Sequence, residues 1–201
     1  PSRHRRLSCG WPCGGFEVKI VDEAGLEVPR GARGEIVHRP RFPNMITKGY
    51  WKRPEVTVEA FRDLWYHTGD AGHMDEDGYV FFGGRLTDNL RRRGENVSAW
   101  ELESAIRTFP GVKECAAIGV VDEMGGEDDI KVVIELEEGA SFDPVAFYAY
   151  CEENVPRFAI PRFVQVAPRQ TFVRGVGTGA IQKHLLSKDV TGPDVIDRTT
   201  L

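Results

Sequence analysis

The sequence lacks the long apolar run of a membrane-spanning helix. A helix that crosses a bilayer needs roughly 18 or more consecutive apolar residues, and none of the 201 residues belongs to such a run. The first ten residues, PSRHRRLSCG, also lack the apolar core of a secretory signal peptide. We therefore expect no membrane span and a cytoplasmic location.

The sequence also lacks a basic surplus, since 26 lysines and arginines stand against 31 aspartates and glutamates and the formal net charge is -5. A general nucleic-acid binder needs a basic surplus to contact phosphates. The basic runs at 3–6 and 91–93 are local exceptions. We therefore expect no nucleic-acid partner.

Cysteine is rare and poorly grouped for a metal site. Cys9 and Cys13 are four residues apart, a spacing that zinc sites use. Cys115 and Cys151 stand alone, and no histidine pair accompanies them. This pattern favours four reduced thiols and predicts no metal site in this chain.

The stretch LWYHTGDAGHMDEDGYVFFGGR, residues 64–85, concentrates carboxylates that could bind a metal, hold a nucleotide or solvate a turn. A calcium loop of the EF-hand type needs alternate oxygen ligands and a closing glutamate, whereas this sequence continues with YVFFGG. Asp75, Glu76 and Asp77 are therefore predicted to form a hairpin turn. Asp70 lies outside that turn, at the end of an aromatic strand.

Hydrophobic periodicity and capping signals predict the elements. Short antiparallel strands are expected over 16–39, a short helix with Pro54 in its first turn, and a hairpin over 64–84. A capping box at Ser98 and Glu101 predicts a helix from about Ala99 to Phe109. The remaining elements are strands at 114–121, 130–137 and 162–167, a helix opened by Asp143 and Pro144 that ends near Asn154, and a final short helix at 181–187.

These elements predict an α+β protein in two pieces. Residues 1–84 are mostly β, and residues 85–201 form a small α+β domain with a three-stranded sheet and helices. Nothing near Gly84 is both apolar and long enough to lock the pieces together. The break near Gly84 is therefore a candidate hinge.

Five segments in this order resemble the C-terminal portion of adenylate-forming enzymes of the acyl-CoA synthetase type. They are GEIVHRP, KGYW, WYHTGD, GRLTDNLRRRGENVSAWELE and TGAIQKHLL, and they span residues 34–186. DDIKVVI and YCEENVPRFAIPRFV are similar to segments of carnitine and crotonobetaine CoA ligases and of general acyl-CoA synthetases, enzymes of fatty acid metabolism.

The resemblance implies a two-step reaction. ATP and a small carboxylate give an acyl-adenylate and pyrophosphate, and the thiol of CoA then displaces AMP. It also implies that residues 1–84 end a large N-terminal domain and that 85–201 are a mobile lid domain. The phosphate loop and the glutamate that contacts Mg²⁺ belong upstream of residue 1, so we expect this chain to be an inactive fragment of the ligase.

The resemblance assigns Asp70 to the ribose of ATP or AMP, because one carboxylate accepts hydrogen bonds from two vicinal hydroxyls. It makes Arg85 a further nucleotide contact and Thr87 the hinge, where the family has Asp or Lys. His67 is interpreted as a packing residue.

The same resemblance places Arg93, Gly94 and Glu95 at the channel for CoA, where a glycine lets backbone and ligand approach closely. A solvated hairpin tip is the alternative for the arginines. Glu101 and Glu103 are predicted to cap the helix and to lie on the surface.

Ala180 stands where the family has the adenylation lysine, in the pattern T-G-K, an apolar residue, any residue, K. A cation there stabilises developing charge, and alanine has none. Lys183 is expected to face elsewhere. An engineered change, a natural loss and a register shift stay open. A non-catalytic binding or regulatory relative is the alternative function, supported by Ala180 and Thr87.

Overall fold

The computed structural model describes residues 5, 7–92, 94–120, 129–176 and 179–201. The chain divides into two compact units, Pro1–Thr87 and Asp88–Leu201. The division falls three residues after the predicted one. The α+β class is confirmed, whereas the assignment of the units to a large domain and a lid stays a prediction. No helix of the described residues is long and apolar enough to cross a bilayer.

The first unit is a five-stranded antiparallel sheet with the order β1-β5-β4-β3-β2. Its strands are β1 Ser8–Gly10, β2 Phe16–Val21, β3 Arg33–Pro40, β4 Tyr66–Met74 and β5 Val80–Arg85, and helix α1 spans Pro54–Ala60. As predicted, α1 begins at a proline, whose missing N–H has no partner to lose in the first turn. A small core of Ile20, Met74 and Val80 holds the sheet.

The turn between β4 and β5 is built by the predicted acidic residues. A carboxylate oxygen of Asp75 accepts hydrogen bonds from the backbone N–H groups of Asp77 at 3.0 Å and Tyr79 at 2.9 Å. Gly78 adopts a φ of +84°, which favours glycine. The carboxylate of Asp75 therefore serves the turn.

The second unit combines a hairpin, two helices and a four-stranded sheet with the order β11-β10-β9-β8. Its elements are β6 Asn89–Arg92, β7 Glu95–Ser98, α2 Ala99–Ile106, β8 Val112–Val120, β9 Asp129–Leu136, α3 Pro144–Asn154, β10 Phe163–Val166 and β11 Val195–Asp197. Strands β9 and β10 are parallel. The edge strand β11 is additional to the three predicted strands.

Helix α2 begins as predicted but ends earlier. The Ser98 hydroxyl accepts a hydrogen bond from the Glu101 N–H at 3.2 Å. After Ile106 the chain tightens, since the N–H groups of Thr108 and Phe109 bond to carbonyls three residues back. The following Pro110 disfavours helical backbone at Phe109, so the predicted end at Phe109 was wrong.

The predicted final helix at 181–187 is also wrong. Only Lys183–Leu185 forms a 3-10 turn. The Gln182 N–H bonds to the Val173 carbonyl at 2.8 Å, and Ile181 bridges Arg174 in antiparallel fashion. Because antiparallel pairing requires extended backbone angles at these residues, the segment stays extended before the turn.

The core of the second unit is mostly apolar and also encloses a lysine. Its fully buried side chains include Ile106, Ile130, Phe147 and Val164. Lys131 is also fully buried, and its Nζ donates to the carbonyls of Ser187 and Asp189, two residues of the C-terminal segment, at 3.0 and 2.5 Å. Burial lowers the pKa of Lys131. The C-terminal segment is thereby held against β9.

Candidate functional site

Asp70 and Arg85 lie side by side on neighbouring strands of the first unit. They face each other in the register of β4 and β5. Arg85 Nε lies 3.0 Å from Asp70 Oδ1, and Arg85 also donates to the Thr68 carbonyl at 3.0 Å. The hairpin therefore brings together the two residues that the sequence assigns to a nucleotide.

One oxygen of Asp70 is buried without a hydrogen bond. Despite the nearby Arg85 Nε, Asp70 Oδ1 accepts no hydrogen bond of normal geometry from the described residues. Burial raises the pKa of Asp70, the charge of Arg85 lowers it, and the charge of Glu35 raises it. Unsatisfied buried acceptors are rare in folded proteins, so Asp70 is a candidate for contact with a ligand.

The turn that presents Asp70 is held by Glu35, a residue that the sequence analysis missed. Glu35 is buried, and its Oε1 accepts the Gly69 N–H at 2.9 Å, where Gly69 has a φ of +71°. Its Oε2 lies 2.7 Å from His67 Nδ1 and 3.1 Å from Arg62. The available signal was a carboxylate inside the apolar strand GEIVH.

His67 therefore needs a correction in part. It is buried, as the packing interpretation expects, but its ring also has a polar partner in Glu35. Thr68 completes the support, because its hydroxyl accepts the Asp70 N–H at 3.0 Å and donates to the Ile36 carbonyl at 2.6 Å. Three consecutive residues before Asp70 are thus fixed by side chains or backbone of β3.

Two tyrosines add hydroxyl groups near this pair. The hydroxyls of Tyr50 and Tyr66 are 2.8 Å apart. The hydrogen bond with Tyr50, followed by burial, raises the pKa of Tyr66 to about 12, and the charges of Arg85 and Asp70 also act on it. Tyr66 therefore remains a neutral donor or acceptor. The hydrogen bond joins the predicted segments KGYW and WYHTGD.

The residues predicted for the hinge and the CoA channel lie between residues 87 and 95. Thr87 lies within the 3-10 turn Leu86–Asp88, at the division between the units. Gly94 has a φ of +78°, with nothing described within 4 Å of an added Cβ. Glu95 is exposed at the start of β7, and Arg93 lies outside the described residues. The roles of all four residues stay predictions.

Ala180 is exposed on an extended segment of the second unit. Its carbonyl accepts the Gly175 N–H at 2.8 Å. Arg174 donates to the Gly179 carbonyl at 2.6 Å. Backbone pairing therefore fixes this position, while its side chain carries no charge.

Glu103 corrects the sequence interpretation of helix α2. It is buried, with 7% of its surface exposed, and accepts the Ala117 N–H at 2.7 Å and Lys183 Nζ at 2.8 Å. Burial raises the pKa of Glu103, although Lys183 opposes the shift. The prediction of a surface residue was wrong because charge was weighed above periodicity. Glu103 lies on the helical stripe formed by Ala99, Leu102 and Ile106.

Lys183 was expected to face away from the position of residue 180. Its side chain is largely buried in the second unit. Its Nζ contacts Glu103 and lies 3.5 Å from Asp88 Oδ2. The lysine thus bridges helix α2 and the first residue of its unit.

Comparison with known proteins shows what this chain is similar to. Residues 101–171, about a third of the chain, match the AMP-binding enzyme C-terminal domain. Together with the similarity to CoA ligases described next, this match confirms the predicted resemblance.

Two bacterial CoA ligases are among the proteins that this chain is similar to. Crotonobetaine/carnitine–CoA ligase of Proteus mirabilis is 35% identical over 184 residues, which cover 91% of this chain and 35% of the relative. The Salmonella typhimurium enzyme of the same name is 35% identical over 181 residues, covering 87% and 34%. This chain spans about a third of the length of these relatives.

Solved structures agree. ATP-bound MatB from Rhodopseudomonas palustris has a TM-score of 0.78 at 34% identity, covering 92% of this chain and 36% of that protein. The anthranilate CoA ligase AuaEII, in complex with anthranoyl-AMP, has a TM-score of 0.80 at 31% identity, covering 92% and 35%.

The pKa of Glu103 predicts how stability depends on pH. A pKa raised above the ordinary 4.5 means that the folded chain keeps a proton that the unfolded chain has lost. The stability that this proton contributes is fully present below the unfolded pKa of 4.5 and is lost as pH rises through the higher folded pKa. Relative to Glu103→Gln, the free energy of unfolding of the wild type is therefore expected to fall as pH rises above the ordinary pKa of 4.5.

Urea unfolding at a series of pH values measures this difference. Glu153→Gln, on the exposed side of α3, is the matched control and is expected to show no such trend. A wild-type stability that rises with pH relative to Glu103→Gln would mean that the ion pair outweighs burial, contrary to this assignment.

Proposed function

We propose that the chain is part of an ATP-dependent acyl-CoA synthetase. The complete enzyme would join a small carboxylate to AMP with release of pyrophosphate, and then transfer the acyl group to the thiol of CoA with release of AMP. The observation that carries this proposal is the Asp70–Arg85 pair with its unsatisfied buried oxygen. The similarity to CoA ligases supports it.

In this proposal Asp70 binds the ribose. The Asp70 side chain is 28% exposed, and its carboxylate accepts hydrogen bonds from the ribose hydroxyls. Charge-assisted bonds of this type are the stronger ones. Arg85 favours the ionised carboxylate against burial and, with 56% of its side chain exposed, remains accessible to the nucleotide. Glu35 holds the turn, so that Asp70 is positioned before the ligand arrives.

The second step would use the other unit. Residues 85–201 would rotate about Thr87 as a lid, which fits the division of the chain beside this residue. Arg93, Gly94 and Glu95 would then line the channel for CoA. Residues 1–84 would belong to a larger N-terminal domain that binds the carboxylate.

Magnesium is implied by ATP chemistry, but the described residues do not fit a magnesium site. They contain no group of three or more His, Cys, Asp or Glu side chains placed to hold a metal. We propose that the ligands of the ion belong to the large domain.

Weak AMP binding to the 201-residue chain is the first expected result. Asp70→Asn should weaken it about tenfold or more, because a hydrogen bond to a charged group is worth about 1.5–3 kcal/mol. NMR titration with AMP measures the affinity. Asp77→Asn, in the exposed turn of the same hairpin, is the control and should bind as the wild type does. Equal binding by Asp70→Asn would refute the ribose assignment.

Restoring the lysine tests the first half-reaction. In the protein that joins this chain to its large domain, Ala180→Lys should raise ATP–pyrophosphate exchange about 100-fold, since one placed donor at developing charge is worth about that much. A panel of carboxylates supplies the substrate. Ala180→Met adds length without charge and should not restore exchange.

The alternative is a non-catalytic relative that uses residues 85–201 for binding or regulation. Ala180 and Thr87, both departures from the family pattern, favour it. Absence of exchange by Ala180→Lys with every carboxylate would support this alternative against the ligase.

A further inference from the structure

We propose that Lys183 is a positioning residue that ties Asp88, the first residue after the hinge, to the segment that carries residue 180. The inference rests on the proposed function in one respect: it matters for catalysis only if residue 180 takes part in adenylation. The tie itself is a property of the second unit.

The lysine joins three separate parts of the chain. Its Nζ lies 2.8 Å from Glu103 Oε1 on helix α2 and 3.5 Å from Asp88 Oδ2 in the turn after Thr87. The side chains of Lys183, Glu103 and Asp88 are 18%, 9% and 39% exposed. The ammonium is therefore largely enclosed between two carboxylates, one buried and one at the surface.

Burial of Glu103 fixes the lysine in this place. An ionised carboxylate inside a protein needs a partner charge and hydrogen bonds. Glu103 obtains a hydrogen bond from the Ala117 N–H of β8 and its charge partner from Lys183. A movement of Lys183 away from helix α2 would leave this carboxylate without its cation.

Residue 180 is coupled to Lys183 through a paired backbone. The Ala180 carbonyl accepts the Gly175 N–H, and the Gln182 N–H bonds to the Val173 carbonyl, both at 2.8 Å. These bonds keep the intervening residues extended and in register. A displacement of Lys183 would therefore be transmitted to Ala180. On the other side, Lys131 holds the carbonyls of Ser187 and Asp189.

The Asp88 contact lies at the first residue of the second unit. The division between the units falls between Thr87 and Asp88. With Asp88 held by Lys183, a rotation has to be absorbed by the backbone of Thr87 and the residues before it. Without this contact the change in backbone angles would extend through Asp88, as far as the pairing of Asn89 with Ser98 in β6 and β7. The position of residue 180 relative to the pivot would then be less well defined.

The two arms of the bridge differ in strength and can be separated. The contact with Glu103 is short and buried, so Lys183→Met perturbs the whole unit. The contact with Asp88 is longer and partly exposed, and such pairs contribute little to global stability. Asp88→Asn therefore removes the tie and leaves the Glu103–Lys183 pair in place.

Hydrogen–deuterium exchange of the 201-residue chain tests the tie. Asp88→Asn should speed exchange about two- to fivefold at 86–90 and at 181–186, with β8 and β9 unchanged. Lys183→Met should speed exchange more at the same segments, and Lys183→Arg should restore it towards wild type. Asp194→Asn, an exposed aspartate near β11, is the matched control and should change neither segment.

The proposal would be overturned if deuterium exchange were unchanged in Asp88→Asn, or faster only at 86–90. Either result would mean that the contact does not affect the segment with residue 180. In the protein that joins this chain to its large domain, adding Asp88→Asn to Ala180→Lys should lower the rate of ATP–pyrophosphate exchange several-fold. If Ala180→Lys is inactive, the proposed function fails while the deuterium result stands. If Ala180→Lys is active and Asp88→Asn changes neither the deuterium exchange nor the ATP–pyrophosphate exchange, this inference fails.

Discussion

Each unit of this protein depends on a buried carboxylate that must be given partners. Glu35 in the first unit and Glu103 in the second are both almost without exposed surface. Removing such a group from water costs free energy unless hydrogen bonds and positive charge compensate. Glu35 takes the Gly69 N–H and two basic side chains, and Glu103 takes the Ala117 N–H and Lys183. These partners fix the segments around the candidate site.

The consequence differs between the units. In the first, the carboxylate holds the turn before Asp70, so a short acidic side chain stands beside Arg85 with one oxygen still unsatisfied. In the second, the carboxylate holds the lysine that follows the segment of Ala180. In both units a buried carboxylate therefore holds a segment in place through contacts that are distant in sequence.

Local signals predicted much of the fold. The turn residues of the β4–β5 hairpin, the cap at Ser98 and the proline after Asp143 each have a mechanism that acts within a few residues. The Asp70–Arg85 pair followed from the hairpin and the resemblance. Strand β11 could not be predicted, because three residues form a strand only through pairing with β10. Glu103 was misplaced because its burial depends on β8 and Lys183, which are distant in sequence.

The central claim is that Asp70 receives the hydroxyls of a ribose, and one comparison tests it most directly. NMR titration of the chain with AMP and with its 2′,3′-dideoxy analogue isolates those hydroxyls, since base and phosphate are the same. The account predicts shifts of the Gly69, Asp70 and Arg85 amides with AMP and none at equal concentrations of the analogue. Equal shifts with both nucleotides would contradict it.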